Sequence, residues 1–180
     1  MANIFFASDH HFGHANILTF KRADGTPLRD FATVEQMNET MIERHNSVVR
    51  SQDKVYFLGD VVMSTKSYAL DFLARMNGTK VLIKGNHDLC KPQAYLEYFK
   101  DIRGSHQFDG MILTHIPIHP ESLARWGLNV HGHLHANVVK LALAQIPDRR
   151  YFNVSMEQIN YTPISLEEVK THVRVPNTRR

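Results

Sequence analysis

The sequence predicts an α/β fold in which two β-sheets lie face to face with helices outside. Three observations lead there. Up to residue 100, short apolar runs alternate with segments of helical periodicity, as βαβ units of a mostly parallel sheet do. After Asp101 the apolar runs are short and closely spaced, which points to a second sheet. Five of the runs lead at once into Asp, Asn or His, side chains that bind metals or carry protons.

Asn3–Ser8 reads as the first strand and runs into Asp9-His10-His11-Phe12-Gly13-His14. Residues 15–31 then form an irregular loop with Phe20, Lys21, Arg22, Gly25, Pro27 and Arg29. It leaves directly from that turn and should lie beside any site there. Thr33 is an N-cap with Glu35 and Gln36 as capping-box partners. Val34, Met37, Met41, Ile42, His45, Val48 and Val49 recur at helical spacing, so residues 33–50 should be an amphipathic helix. Lys54–Leu58 is the second strand, ending in Gly59-Asp60. Thr65–Met76 reads as a second helix with Tyr68, Leu70, Phe72 and Leu73 inward, stopped by Asn77-Gly78. Val81–Ile83 is the third strand. Gly85 breaks it, and Asn86-His87-Asp88 follow. A helix over Pro92–Lys100 closes the first half.

In the second half, strands fall near Gln107-Phe108, at Met111–Thr114 before His115, and at Leu128–Val130 before His131-Gly132-His133-Leu134-His135. Two more are expected at Tyr151–Val154 and Tyr161-Thr162. A helix from Ser165 through Thr171 should cover the second sheet, and residues 116–127 and 136–149 are the least regular segments. The chain of 180 residues suits one domain, residues 1–173, with a basic tail over 174–180 that holds Arg174, Arg179 and Arg180.

A content of 43% apolar and 22% charged residues is ordinary for a soluble protein. No apolar run approaches the ~18 residues of a membrane span, and no secretory signal is expected. The single Cys90 rules out an internal disulfide and suits a reducing cytosol, so the expected location is cytoplasmic. A net charge of +3 permits an anionic substrate without demanding nucleic acid. Histidine is in excess at 12, and eight of these (His10, His11, His14, His87, His115, His131, His133, His135) sit past the strand ends.

Asp9 and His11, one residue apart, can face one side of a turning backbone. Asp60 offers two oxygens and can bridge two cations; Asn86 brings a carbonyl, His115 an imidazole, and His133 and His135 alternate toward one place. Nitrogen and oxygen ligands without thiolate favour Mn, Fe, Zn or Ni over Ca or a Cys-rich zinc site.

In identity, order and strand-end placement, Asp9-x-His11-Phe12-Gly13, Gly59-Asp60, Gly85-Asn86-His87-Asp88, His115 and Gly132-His133-x-His135 resemble the calcineurin-like metallophosphoesterases. The resemblance spans most of the chain and implies a four-layer αββα sandwich of two mixed sheets around a dinuclear site. Asp9, His11, Asp60 and His135 would hold one ion. Asp60 as the bridge, Asn86, His115 and His133 would hold the other, and His87 would be the acid. Mn is the first choice for the two ions, with Fe, Zn and Ni as alternatives. His10, His14, His131 and Asp88 match no ligand position and read as orienting or surface groups.

The implied activity is hydrolysis of a phosphoester by a hydroxide held between the two ions. Formal charge leans toward a diester: two divalent cations against two carboxylates and a hydroxide leave one positive charge, which a diester neutralises and a monoester exceeds. A phosphodiesterase acting on a nucleotide or a nucleic-acid end comes first. A phosphomonoesterase with the same site is the alternative, and a non-catalytic binding scaffold comes third. In the loops that leave the ligand turns, Arg22, His119 and Trp126 are candidate substrate contacts. The competing reading puts Trp126 in the core and the arginines in solvent.

Overall fold

The computed structural model describes residues 2–174, apart from the side chains of residues 67, 68, 173 and 174. Among these residues the strands are β1 (Ile4–Ala7), β2 (Lys54–Phe57), β3 (Thr79–Ile83), β4 (Asp101–Arg103), β5 (His106–Phe108), β6 (Met111–Leu113), β7 (Leu128–His131), β8 (Tyr151–Asn153) and β9 (Ile164–Ser165). They form two mixed sheets, ordered β4-β3-β2-β1-β9 and β5-β6-β7-β8. β1 to β4 are mutually parallel and β9 is antiparallel. In the second sheet β6, β7 and β8 are parallel and β5 is antiparallel.

Parallel strands need apolar residues on both faces, and the sequence supplies them. Phe6, Tyr56, Leu58, Val81 and Ile83 point inward and meet Met111, Leu113, Leu128, Val130 and Val154 between the sheets. On the opposite face Phe5, Ala7, Val55, Phe57 and Leu82 meet the helical layer. That layer is α1 (Val34–Val48), a 3₁₀ segment at Ser67–Arg75 and α2 (Pro92–Leu96). The outer face of the second sheet is covered more thinly. Ile112 and Tyr151 pack there against Leu123, from a 3₁₀ segment at Pro120–Arg125, with Ile118, Trp126 and Val139 around them. The four layers are therefore helix, sheet, sheet and a partly irregular cover. Burying a side chain such as Phe6 contributes about 1.5–3 kcal/mol.

α1 begins as expected, with the Thr33 hydroxyl accepting from Gln36 N–H at 3.1 Å. The Gln36 side chain reaches one residue further back, to Ala32 N–H at 2.9 Å. Val48 is exposed rather than inward, because the helix ends there and Val49 takes the buried position. Several boundaries differ from the expected ones. Residues 67–75 wind as a 3₁₀ segment, not an α-helix, with Leu70 and Leu73 buried and Phe72 half-buried; the Tyr68 side chain lies outside the described residues. The helix at Pro92 stops at Leu96.

Two strands were not expected. β4 has one apolar residue in three, and β9 has two residues, which lie beyond the turn formed by Tyr161-Thr162. The last helix, α3 (Leu166–Arg174), does not cover the outer face of the second sheet. Its Val169 enters the core between the sheets, and it follows β9 on the free edge of β1. The expected tail begins at the last residue of α3, and residues 175–180 lie outside the described residues.

Candidate metal centre

β1, β2, β3, β6 and β7 all end at the same rim, and the turns that leave them converge. The first two turns continue the pairing of their strands. Asp9 N–H donates to Gly59 O at 3.0 Å, His11 N–H to Asp60 O at 3.0 Å, and Phe12 N–H to Val61 O at 2.9 Å. This places Asp9, His11 and Asp60 side by side. Close approach demands small residues beside them. A Cβ on Gly85 would stand 2.3 Å from Asp60 Oδ1, and one on Gly132 would stand 2.4 Å from Asp9 Oδ2.

The turns are also strained. Nine described non-glycine residues have positive φ, and five of them are expected ligands: Asp9 (58°), His11 (50°), Asp60 (53°), His133 (70°) and His135 (49°). Asp and His tolerate this region better than most residues, but each such site still costs on the order of 1–3 kcal/mol and persists only where the surroundings enforce it.

Two clusters of ligand-type atoms result. Those of Asp9, His11 and His135 all lie within 4.8 Å of one another, and so do those of Asp60, His115 and His133. Asp60 joins them, since its Oδ2 is 3.8 Å from His11 Nε2 and 3.3 Å from His115 Nε2.

The donors in both clusters suit cations. In the first, Asp9 Oδ1 and both ring nitrogens of His11 are buried without a hydrogen-bond partner. Leaving such atoms unpaired costs roughly 1–3 kcal/mol each, a penalty that an ion removes. In the second, His115 Nδ1 lies 2.7 Å from Leu58 O, so this nitrogen carries the proton and the lone pair is on Nε2. That lone pair faces Asn86 Oδ1 at 2.9 Å and Asp60 Oδ2 at 3.3 Å. Three electron-rich atoms so close need a proton or a metal ion between them. Asp9, His11 and His135, and Asp60, His115 and His133, thus form two candidate metal-binding groups.

Burial and mutual charge shift these groups in both directions. Burial pushes the Asp9 carboxyl above its usual range. Burial, then the Arg29 charge, pushes His11 down to about 3. Burial opposes ionisation of Asp60, yet its bond with His115, the His115 charge and the His87 N–H bond together hold it below its usual value. His115 and His135 are both raised despite burial, His115 by Asp60 and Asp9 and His135 mainly by Glu157. His133 is lowered by burial. His87 is half-buried and belongs to neither cluster. Its backbone N–H donates to Asp60 Oδ1 at 2.8 Å, and its ring lies 5.7 Å from that of His11.

The residues that brace the turns were largely missed by sequence reasoning. Asp9 Oδ2 accepts from His133 N–H and Ser155 Oγ, each at 2.9 Å. Asp88 accepts from Asp60 N–H at 3.0 Å, Val61 N–H at 3.0 Å and Gly85 N–H at 2.8 Å, and so locks the β2 and β3 turns together. Glu157 accepts from His135 Nδ1 at 3.1 Å. Arg29, expected in an irregular loop, is buried and donates to the carbonyls of Asp9 and His10. His10 and His131 are core residues; His10 stacks between Phe12 and Phe57. His14 is half-buried, with its ring 5.7 Å from that of His11.

Beside His133 and His135 lies a cleft of about 840 Å³, and Arg22 lines its far wall. The other expected substrate contacts do not line it. His119 starts the Pro120–Arg125 segment, with Nδ1 accepting from Glu121 N–H at 3.4 Å, and Trp126 packs in the outer cluster of the second sheet. No described helix is long and apolar enough to cross a membrane.

The sequence profile of the calcineurin-like phosphoesterases matches residues 2–172. The chain is 39% identical over 171 residues to the uncharacterized protein MJ1445 of Methanocaldococcus jannaschii, covering 93% of this chain and 89% of that one. It is 28% identical over 193 residues to the gene 66 protein of Mycobacterium phage L5, covering 87% of each. Among solved structures, the protein of unknown function AQ665 from Aquifex aeolicus superposes with a TM-score of 0.70 at 26% identity, over 95% of this chain and 99% of that one.

Proposed function

This chain belongs to the calcineurin-like phosphoesterase family, and from that premise we propose that it is a metal-dependent phosphodiesterase acting on a nucleotide or a nucleic-acid end. The observation that carries the reading is Asp60. Its carboxylate belongs to the second cluster, yet its Oδ2 lies only 3.8 Å from His11 Nε2 of the first, a placement from which one residue would serve two ions.

Asp9, His11, Asp60 and His135 would hold one divalent cation, and Asp60, Asn86, His115 and His133 the other, with Mn our first choice. Bound there, two cations supply positive charge to a phosphoryl group and acidify a water. The chain's own groups do the rest. Glu157 fixes the His135 tautomer through Nδ1, and the Leu58 carbonyl fixes that of His115. Asp88 holds the Asp60 and Gly85 backbones in register. His87 lies outside both clusters and is the proton donor for the departing alkoxide.

The diester preference rests on charge. Glu157 is offset by Arg29, 2.7 Å away, so it adds no net negative charge to the ligand set. Asp9 and Asp60 remain the two anionic ligands, and the count still favours a singly charged phosphate. A cytoplasmic location rests on the single buried thiol, Cys90, in a chain that can form no internal disulfide.

Hydrolysis of bis-p-nitrophenyl phosphate and p-nitrophenyl phosphate by the Mn²⁺-loaded chain, with and without chelator, tests the reading. The proposal expects metal-dependent turnover with the larger kcat/KM on the diester. A larger value on the monoester turns it into a phosphomonoesterase. No metal-dependent turnover on either, or on cyclic nucleotides, single-stranded DNA and RNA, removes it.

A further inference from the structure

The cleft of about 840 Å³ has two walls. One is the turn that carries His133 and His135, through Asn137; the other is the loop with Phe20, Lys21 and Arg22. This volume far exceeds what a phosphoryl group needs and falls within the ~300–1,000 Å³ of whole-ligand sites. It opens directly from two proposed metal ligands, so it receives whatever is attached to a phosphoryl group held there.

The loop wall is built, not loose. Lys21 and Pro27 pair as an antiparallel bridge. Arg22 N–H donates to Thr26 O at 2.8 Å, Gly25 N–H to Arg22 O at 3.0 Å, and Leu28 N–H to Phe20 O at 2.8 Å. Its base is pinned by buried Leu28 and by Arg29, which donates to the Asp9 and His10 carbonyls. The wall is thus indexed to the ligand turns.

Its side chains have a definite chemistry. Phe20 lines the cleft and is 47% exposed, with its ring nearly perpendicular to that of His14 at a centroid distance of 5.9 Å. Arg22 donates to Pro27 O and Leu28 O at 3.3 and 3.4 Å, long bonds that leave its NH1 donors without a partner in the loop. Lys21 is exposed beside it. Asp24 also lines the cleft and stays ionised, its Oδ1 accepting from Thr26 N–H at 3.0 Å and Thr26 Oγ1 at 2.7 Å, so against Lys21 and Arg22 this wall carries a net positive charge.

We propose that this cleft is a nucleotide subsite next to the scissile phosphate: Phe20 stacks on a base, and Lys21 and Arg22 pair with a second phosphate. The preferred substrate is then the end of a single-stranded oligonucleotide, not a mononucleotide. The inference rests on the phosphodiesterase reading for the scissile bond. The subsite itself requires only a ligand that offers a base to Phe20 and a phosphate to Lys21 and Arg22.

Two readouts test it. The first is KM and kcat of the Mn²⁺-loaded chain on a short single-stranded oligonucleotide and on bis-p-nitrophenyl phosphate. The second is fluorescence-anisotropy binding of a labelled single-stranded tetranucleotide to chelator-treated protein at low salt. Phe20→Leu, which keeps bulk but removes the ring, should weaken binding and raise KM for the oligonucleotide at least about fivefold, the low end of base–aromatic stacking. Phe20→Tyr should restore both. Lys21→Ala with Arg22→Ala should weaken binding and flatten its salt dependence by roughly 0.7 in log–log slope for each phosphate that is no longer neutralised. None of these variants should change kcat/KM on the small diester.

No binding by the wild-type chain overturns the subsite, as do variants with unchanged oligonucleotide KM, or equal losses on both substrates with a lowered melting temperature. If the wild-type chain binds the tetranucleotide but hydrolyses neither substrate, the phosphodiesterase reading fails and the subsite stands.

Discussion

Glu157 Oε1 lies 2.7 Å from Arg29 Nε and 3.1 Å from His135 Nδ1, with both members of the Arg29–Glu157 pair fully buried. Arg29 in turn holds the carbonyls of Asp9 and His10. One ion pair therefore clamps two turns that supply the first cluster, although its members are 128 residues apart.

Breaking the clamp should act on both stability and metal affinity. Glu157→Gln leaves the Arg29 charge buried without its partner, which costs about 3–5 kcal/mol. It also loosens His135, and loss of such a partner typically lowers metal affinity 10–100-fold. Urea unfolding and Mn²⁺ titration calorimetry read the two effects. Unchanged values in both would show that the pair is incidental.

The pair also has a pH signature. Despite burial, Arg29 and His135 hold Glu157 down to about 2. A depressed carboxyl stabilises the fold fully above its unfolded value near 4.5 and loses that contribution as pH falls toward 2. Between those limits the wild-type chain should lose stability more steeply than Glu157→Gln, as urea midpoints at a series of pH values will show. Parallel curves would contradict it.

His45 predicts a second window. It is buried, its ring nitrogen bonded to Asn77 O at 2.9 Å, and burial lowers it from the usual 6.5 to about 4. The unfolded chain binds a proton there that the folded chain refuses, so stability is lost as pH falls from 6.5 toward 4. At 1.36 kcal/mol per unit the loss reaches about 3 kcal/mol. His45→Gln should be less stable at pH 8 but lose less on acidification. Equal slopes would remove His45 as the cause.

Asp88 predicts a structural effect with a catalytic readout. Asp88→Ala strands the buried N–H groups of Asp60 and Val61, at roughly 1–3 kcal/mol each, and the half-buried one of Gly85, and frees the Asp60 turn. Melting temperature and bound metal should fall together. Full metal content in a destabilised variant would show that the turn holds its shape without Asp88.

His87→Asn should keep both ions and lose about 10²–10⁴-fold in turnover on an alkoxide leaving group. The loss should be smaller on p-nitrophenyl esters, whose leaving group needs no proton. A drop in bound metal would make His87 a ligand.

The ligand turns were legible because each parallel strand is a short apolar run stopped by Gly or by a polar residue, as at Leu58-Gly59-Asp60 and Ile83-Lys84-Gly85. β4 and β9 were not, because Asp101–Arg103 and Ile164–Ser165 are too short to show a period and owe their pairing to β3 and β1. Arg29, Ser155 and Glu157 were hidden for another reason. Each acts on a partner far away in sequence, and nothing local marks an arginine as buried. One usable signal was overlooked: Asp and His beside Gly at a strand end suit the left-handed backbone found at Asp60 and His133.

The sharing of Asp60 by two ions is tested most directly by counting bound Mn²⁺ per chain in wild-type protein and Asp60→Ala. Two ions in the wild type, and at most one weakly held ion with no turnover in Asp60→Ala, are the expected results. A wild-type chain that binds only one ion, or an Asp60→Ala chain that keeps two ions and its turnover, would contradict the account.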